Sequence, residues 1–560
     1  MQMRPLFLTT IFCALLSGSL HAQTSLLPDR QSEALSPSEN RFDTHAQSMD
    51  SRQFNQLYSN PVYYEWVHTD DSLYSKHPYR STVYTGYAEG EQKGDFLPYE
   101  GNASRDCRIG ASGEYSLRWG GTLFGSAQYS RGQHKNIGWS AMRYPELYTP
   151  YISTDSCGGH FEFEDYLIQG GYAFTLNDWK LGVKAMFHGE QAHRMTDPRA
   201  LNNTTWLNLG VGVSRRFNGH LLMLDGSFGR NKQHMNLRYW RPGQQDRFFV
   251  CYGFGLYDNR MSGVAFGYQR MYYIMEGHTR LTYQSPLNRP FTVYASMGYE
   301  FDRMKTEETN ICDLYYSKTH TLLPTVRLDW QPSASWMFSL WLDGRIDLRK
   351  GFENIFERYK SNDANFVYDY RLIDTQQNYK FNKMHLLGQL RAKYQINPKH
   401  AVALTGGLSS DFRQETYDLE DFEMKNTSLF PHGRLDYLMR VKHSELELSA
   451  LYGKKLNGDN TYKVYHTNQA IQHLDFQHAF APFAYYDSEY SSLQVSAGYT
   501  YHFKKCAVGL NAQLMYTDGE RNRETYYDGK IGFNSSAPMI NREPDRHDEL
   551  WGSTSVYFLF

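Results

Sequence analysis

The chain has 560 residues, a net charge of −2 and a mean hydropathy of −0.64. A charge so close to zero gives no reason to expect nucleic acid or an anionic surface as a partner. Beyond residue 22 no apolar run is long enough for a membrane-spanning helix, which excludes a helical membrane protein. Aromatic residues make up 16% of the chain, with 45 Tyr, and Tyr and Trp concentrate at both edges of a membrane-spanning barrel.

The chain begins with a segment typical of a secretory leader. Residues 1–22 contain an early basic residue, an apolar core and a small-residue exit at Ala22. Residues 23–78 follow as a predicted periplasmic N-terminal extension, and their first half, rich in Ser, Gln, Asp and Asn, is predicted to be disordered. The second half contains Tyr64 and Trp66, and its aromatic content makes it a candidate plug of a lumen.

From about residue 79 onward, apolar and polar residues alternate in repeated segments. In one segment, Leu510 and Leu514 alternate with Asn511 and Gln513. A tilted strand needs about 9–11 residues to cross a bilayer, and these segments reach that length. Short turns that carry Gly, Pro and Asn alternate with longer polar loops. We place the loops at 132–160, 189–203, 231–268, 305–317, 350–380, 414–427, 456–487 and 519–546.

This layout predicts an all-β fold, an antiparallel transmembrane β-barrel over residues 79–560. Short periplasmic turns and long extracellular loops are the asymmetry of barrels in the outer membrane of Gram-negative bacteria. Counting back from the C-terminus gives about 18 strands, with 16 or 14 as alternatives. The last strand ends on apolar residues that resemble the signal read by the barrel-assembly machinery: Val556, Phe558 and Phe560.

Charges of both signs fall on the side of the strands opposite the apolar residues. Such residues form a salt-bridged wall, a transport pathway, or a catalytic carboxylate pair, and the alternation alone does not show which charges meet. The predicted lumen-facing charges are Arg327, Asp329, Asp343, Arg345, Asp347, Arg391, Lys393, Arg434 and Asp436.

Histidines give weak candidates for metal ligands. One group lies in a predicted external loop, and a second combines His188 and His193 with Met195. Neither spacing matches a fixed ligand geometry, so we predict neither a metal nor a cofactor. The loop group is His466, His473 and His478.

Five cysteines remain after the leader, and four of them fall in predicted external loops. An exported location allows thiols to oxidise, so these four could form two disulfides, although all could equally be free. Cys506 falls at a predicted periplasmic turn. The disulfide candidates are Cys107, Cys157, Cys251 and Cys312.

One run, from Tyr148 to Tyr172, resembles a block in an uncharacterised family of Bacteroidota outer-membrane β-barrel proteins. The resemblance implies a barrel in the outer membrane and brings no substrate with it. The matching residues are Pro150-Tyr151, Asp155, Gly158-Gly159, Glu164, Tyr166 and Gly170-Gly171-Tyr172.

The pattern favours passage or binding of a small solute at the cell surface. The alternatives are an enzyme at the barrel rim acting on lipid or peptide, and a closed barrel whose loops bind a surface ligand or a partner protein. The known hydrolase and nucleotide-binding motifs are missing from the sequence, so no catalytic residue is predicted. No energy-coupling box is evident, so an actively coupled transporter is not expected. The expected partners are outer-membrane lipid and the assembly machinery.

Overall fold

The computed structural model describes most of the barrel and part of the N-terminal extension. The described residues are 49–69, 81–94, 96–155, 157–238, 240, 248–258, 269–287, 289–308, 313–360, 368–419, 421–458, 460–465, 472–473, 482–519, 525–530, 540–542 and 547–560. The predicted leader, Cys312, His466 and His478 lie outside these ranges.

Eighteen antiparallel strands close into a barrel, which confirms the predicted fold class and strand count. The first and last strands pair from Thr82↔Leu559 to Gly94↔His547, so no sheet edge remains. The strands are β1 Ser81–Gly94, β2 Ala103–Ser116, β3 Thr122–Ile137, β4 Gly159–Leu176, β5 Trp179–Arg194, β6 Arg199–Phe217, β7 His220–Arg238, β8 Gln269–Gln284, β9 Phe291–Glu308, β10 Tyr315–Trp330, β11 Trp336–Lys360, β12 Tyr368–Asn397, β13 His400–Tyr417, β14 Phe422–Val441, β15 Ser444–Asn457, β16 Tyr490–His502, β17 Ala507–Asp518 and β18 His547–Leu559.

Alternate residues of each strand face the lumen and the outside. On β11, Trp341 is fully buried, whereas the next residue, Leu342, is 46% exposed. Leu390 on β12 and Leu404 on β13 are exposed in the same way. An apolar outward band around a closed sheet is the surface that a bilayer requires, and the protein is an outer-membrane β-barrel. Among the described residues, no helix combines the length and the apolar character needed to cross a membrane.

Several strands extend well beyond the ends that the alternation predicts. β11 has 25 residues and β12 has 30, and they stay paired to Lys360↔Tyr368. The predicted loops at 350–380, 189–203 and 414–427 are therefore mostly strand. Above the lipid the outward face need not be apolar, but the backbone still gains from a paired ladder, so the sequence loses its alternation before the strand ends.

Two helices of the N-terminal extension lie inside the lumen, near the end that holds the short turns. They are α1 Met49–Ser59 and α2 Tyr63–Thr69, which we call the inner helix pair. Glu65 accepts hydrogen bonds from Thr122 at 2.7 Å and Thr175 at 2.9 Å, beside the β2–β3 and β4–β5 turns.

The opposite end of the lumen is occupied by residues 138–155 and 157–158 of the loop between β3 and β4, which we call the cap loop. It contains the short helix α3, Pro145–Tyr148. Four short strands from three loops form a second sheet there, in the order Gln472–His473, Leu256–Asp258, Phe248–Gly253 and Ser153–Asp155. Further short strands are Thr461–Tyr465, Thr525–Lys530 and Ile540–Arg542. A buried aromatic cluster, with Tyr148 and Tyr151 at its centre, packs the cap loop against the wall.

Candidate functional site

A cavity of about 410 Å³ lies between the inner helix pair and the cap loop, and we call it the chamber. Arg52 and Gln56 of α1 line one end, and Glu146 and Leu147 of α3 line the other. Residues of strands β8 to β16 form the wall between them. Small-molecule sites occupy about 300–1,000 Å³, so the chamber has room for a small solute.

Basic side chains outnumber acidic ones in the chamber. Seven basic and five acidic residues give the lining a formal charge of +2 with His385 neutral. A confined lining with this excess favours an anionic occupant. The basic residues are Arg52, Arg280, Arg345, Arg349, Lys383, Arg413 and Lys455, and the acidic residues are Glu146, Asp302, Asp343, Asp347 and Asp411.

Four wall arginines pair with the acidic residue two positions later on the same strand. Residues two apart share one face of a strand, so Arg-x-Asp and Arg-x-Glu are the sequence signals for these pairs. The nitrogen–oxygen distances are 2.9 Å for Arg327–Asp329, 3.0 Å for Arg345–Asp347, 2.7 Å for Arg413–Glu415 and 2.6 Å for Arg434–Asp436.

Lys383 on β12 lies in the chamber close to the carboxylate of Glu146. Its charge acts on Glu146, yet it makes no hydrogen bond or ion pair with any residue that the structure describes. Glu146 itself accepts hydrogen bonds from Tyr99 at 2.8 Å and Tyr486 at 3.2 Å, and a guanidinium nitrogen of Arg413 lies 3.6 Å away. A carboxylate of the protein thus already lies among the basic side chains of the chamber.

The environment of Glu146 favours its ionised form. Burial alone would raise the pKa of Glu146, but Arg413, Lys383 and the two tyrosine hydroxyl groups lower it below its ordinary value of 4.5. At neutral pH the side chain is a carboxylate. The cap loop therefore presents a negative charge to a lining that is otherwise positive.

Wall arginines fasten the cap loop at two further points. Arg349 on β11 donates hydrogen bonds to the carbonyl oxygens of Glu146 at 3.1 Å and Thr149 at 2.9 Å, at the end of α3. Arg194 on β5 pairs with Asp155 at 2.6 Å, and both side chains are fully buried. Such a pair is strongly destabilising when only one partner is removed.

A fourth attachment involves a cluster of possible metal ligands: Asp165, His188 and Glu190, whose ligand atoms lie within 4.8 Å of one another. His188 hydrogen bonds to Asp165. From the cap loop, Arg143 lies 3.1 Å from Glu190, and the Tyr144 hydroxyl donates to the same carboxylate. The cluster could hold a metal ion only after Arg143 and Tyr144 had moved away, so in this structure it anchors the cap loop.

A family model matches residues 72–537, which include nearly the whole barrel. The chain belongs to the DUF6850 family, a family of unknown function. Membership of this family supports the resemblance to an uncharacterised family and assigns no activity. No curated protein matches the chain.

Solved structures to which the chain is similar include three transporters. The copper transporter OprC is 10% identical, with 86% of this chain and 82% of that chain covered and a TM-score of 0.38. The FrpB iron transporter from Neisseria meningitidis is 8% identical over 88% and 82%, with a TM-score of 0.37. The ferric citrate transporter FecA is 11% identical over 85% and 78%, with a TM-score of 0.38. At these values the likeness does not bear on the solute of this chain.

All nine predicted lumen-facing charges lie on the inward side of their strands, which are β10, β11, β12 and β14. Asp343, Arg345 and Asp347 line the chamber, whereas the other six lie elsewhere on the wall. Continuing the same alternation by two residues would have found Arg349. Glu146 had no local signal, because it lies in a loop that meets the wall only after folding.

The histidine groups are not supported where the structure describes them. His188 and His193 are five residues apart on β5, so they face opposite sides of the wall. Met195 is 65% exposed. The predicted second histidine group is therefore wrong, and the partners of His188 are the acidic residues of β4 and β5. His473 lies in a short strand of the second sheet.

The cysteine predictions need one correction. Cys107 lies on the outward face of β2 and not in a loop, and it is a free thiol. Cys251 is a buried free thiol in a short strand, and Cys157 lies in the cap loop. A disulfide between Cys107 and Cys157 is thus not formed, because the outward alternation directs the Cys107 side chain toward lipid.

Proposed function

We propose that this outer-membrane barrel binds a small anionic solute in the chamber and passes it across the membrane. The observation that supports the proposal most directly is the chamber lining, with seven basic residues against five acidic ones in about 410 Å³. Lys383 adds a basic group with no hydrogen bond or ion pair to a described residue. A solute with a carboxylate or phosphate group fits this chemistry.

In this proposal the cap loop is the gate on the outer side. The carboxylate of Glu146 is a tethered anion that pairs with the chamber when it is empty. A solute anion that reaches Arg413 and Lys383 competes with Glu146 for the same charges and loosens α3 from the wall. Because a ligand shifts an equilibrium only through its different affinity for the two states, this competition is what would couple binding to opening.

The N-terminal extension, residues 23–78, is the proposed inner plug, and its helix pair closes the chamber toward the periplasm. We further propose outer-membrane lipid and the barrel-assembly machinery as partners, the latter through Val556, Phe558 and Phe560 on the outward face of the last strand. The block from Tyr148 to Tyr172 supports a source among the Bacteroidota.

Calorimetric titration of the full-length protein in detergent tests the binding step. Succinate and inorganic phosphate are the anionic probes, and choline is the cationic one. We expect the anions to bind and choline not to bind. Lys383→Gln should weaken anion binding by about 10- to 100-fold, because a hydrogen bond to a charged group contributes about 1.5–3 kcal/mol.

Arg391→Gln is the matched control, since Arg391 is a basic wall residue that does not line the chamber. It should leave the affinity for both anions unchanged. Equal binding of choline and succinate, or equal effects of the two substitutions, would rule out an anion site in the chamber.

A further inference from the structure

The outward face of five adjacent strands, β7 to β11, bears a group of basic side chains close to the extracellular end, which we call the basic belt. The inward neighbours Asn231, Met304 and Ser317 are buried, so the belt residues between them face outward. The belt consists of Arg230, Lys232, Arg303, Lys305, Lys318 and Lys350.

Strand register brings these residues into two rows. One row runs through Arg230, Met275, Arg303, Lys318 and Lys350, each paired with the next across neighbouring strands. The second row, one outward position higher, contains two basic and three aromatic residues: Lys232, Tyr273, Lys305, Tyr316 and Phe352. With strands about 4.8 Å apart, the belt is about 20 Å wide.

The belt lies at the outer edge of the apolar band. Trp330 marks the periplasmic end of β10, and Lys318 is twelve residues away on the same strand. At about 3.3 Å per residue and a tilt of about 40°, that separation is roughly 30 Å along the membrane normal. The apolar band of such barrels is about 25 Å tall, so the basic groups emerge where lipid headgroups begin.

Aromatic rings and an excess of positive charge characterise the belt. Tyr316 stacks on Phe352 at 4.5 Å, and Lys318 lies 5.9 Å and 5.5 Å from these two rings. Lys305 pairs with Asp313 at 3.2 Å and with Glu307 at 3.5 Å. The other five basic side chains make no ion pair with any residue in the described parts of the chain.

The opposite side of the barrel is different at the same end. There the outward residues of β1 to β4 carry both signs of charge, with an Arg131–Glu164 pair at 3.7 Å: Glu89, Glu91, Glu162 and Glu164, and Lys93, Arg105 and Arg131. The acidic groups of that side offset the charge of their basic neighbours, whereas the basic belt has an excess of positive charge that attracts lipid phosphates. At the level of the headgroups, the two sides of the barrel wall therefore differ in charge.

We propose that the basic belt binds the phosphate groups of an outer-leaflet phosphorylated glycolipid of the lipid A type. The basic side chains contact the phosphates, the aromatic rings lie at the interface, and the acyl chains continue down the apolar band below. Surface basic residues each contribute about fivefold to the affinity for an anionic lipid, so removing three should weaken binding by roughly a hundredfold.

Native mass spectrometry of the full-length protein in detergent, titrated with lipid A, tests the proposal. Arg303→Gln/Lys318→Gln/Lys350→Gln should lower the apparent affinity by roughly a hundredfold. The control, Lys93→Gln/Arg105→Gln/Arg131→Gln, removes three outward basic residues on β1 to β3 and should leave it unchanged. The variant Arg303→Lys/Lys318→Arg/Lys350→Arg keeps every charge and should retain binding. It shows whether substitution at these positions by itself disturbs folding.

The source of the phosphate is tested in the same titration. Lipid A with both phosphates removed should bind about as weakly as phosphatidylcholine, and inorganic phosphate should not displace intact lipid A. Equal affinity of the two glutamine variants, tight binding of the dephosphorylated lipid, or displacement by inorganic phosphate would each overturn the proposal. If the unmodified protein forms dimers but binds no lipid, and the belt variant does not form dimers, the occupant of the belt would be a second copy of the chain.

Discussion

The two ends of the chamber present different groups to it. The inner helix pair combines apolar packing with hydrogen bonds to the wall: Val62 and Val67 are fully buried, and Glu65 accepts hydrogen bonds from two wall threonines. The cap loop packs aromatic residues against the wall and is also held by charged groups, among them the buried pair of Arg194 with Asp155. Both closures face the same chamber, but the inner helix pair contributes Arg52 and Gln56 to its lining, whereas the cap loop contributes the carboxylate of Glu146, with which a solute anion can compete.

This difference suggests a division of roles. The buried valines of the inner helix pair and the threonines that bond to Glu65 lie outside the chamber lining, so binding in the chamber should leave the helix pair in place. Contacts between arginine and carboxylate are exchangeable, because an incoming carboxylate makes the same kind of bond. The cap loop is therefore expected to open in response to solute, and the inner helix pair to need another cause.

The largest expected effect is on the cap loop. Arg194→Met leaves Asp155 buried without its partner, and breaking a buried pair costs about 3–5 kcal/mol. Since about 1.4 kcal/mol is a factor of ten, amide hydrogen exchange in the cap loop should rise by roughly two to three orders of magnitude. Exchange in the inner helix pair should not change.

Arg199→Met is the control for this prediction. Arg199 pairs with Asp197 at 3.2 Å but is 37% exposed, and exposed pairs contribute less than about 1 kcal/mol. If the two variants had equal exchange in the cap loop, the buried ion pair would not be what holds the loop.

The inner helix pair can be disturbed from the wall side. Gly182 and Gly212 pair across β5 and β6, and the turn at Asn60-Pro61 lies directly against them. A Cβ atom at position 212 would lie 2.3 Å from the Asn60 side-chain oxygen. Gly212→Leu should destabilise the docked helices by about 1–3 kcal/mol, seen as faster exchange at Val62.

Gly277→Leu adds the same side chain at a β8 position where a Cβ atom has nothing within 4 Å. This variant should leave the helix pair protected. If amide protection of the helix pair were lost equally in both variants, or in neither, close packing against the glycines would not be what holds the helices in place.

The smallest expected effect is a pH dependence of the cap loop. The pKa of Glu146 is lowered in the closed state of the loop. Its carboxylate therefore stabilises the closed loop fully when the pH is above about the ordinary pKa of 4.5, and this stabilisation is lost as pH falls through the closed-state pKa. Acidification below that value should therefore open the loop, as measured by proteolysis at graded pH. Glu146→Gln should remove this step, and an unchanged step would exclude Glu146 as its origin.

The sequence predicted the wall much better than the lumen contents. Alternation along a strand is local, so Leu342 and Trp341 could be assigned to opposite faces without any knowledge of the fold. The extent of β11 and β12 was missed because beyond the lipid the outward face is no longer required to be apolar. Strand ends there are set by hydrogen bonding, which leaves little trace in hydropathy.

The chamber shows which part of the site could not be predicted from the sequence. Asp343, Arg345 and Asp347 were predicted to face inward, and their alternation extends to Arg349. Glu146 belongs to a loop about two hundred residues earlier in the sequence than Arg349, and their contact depends on closure of the whole barrel. No local pattern marks a pair of that separation. The Arg-x-Asp pairs are the exception, because both partners lie on one strand.

Current through single barrels in a planar bilayer tests the central claim, a passage for small anions gated by the cap loop. The protein lacking residues 23–78 should pass little or intermittent current, because the cap loop still closes it, and succinate should convert this to a steady current. Lys383→Gln in the same truncated protein should abolish the response to succinate. A folded truncated barrel that is steadily open without succinate, or that responds equally to choline, would contradict the account.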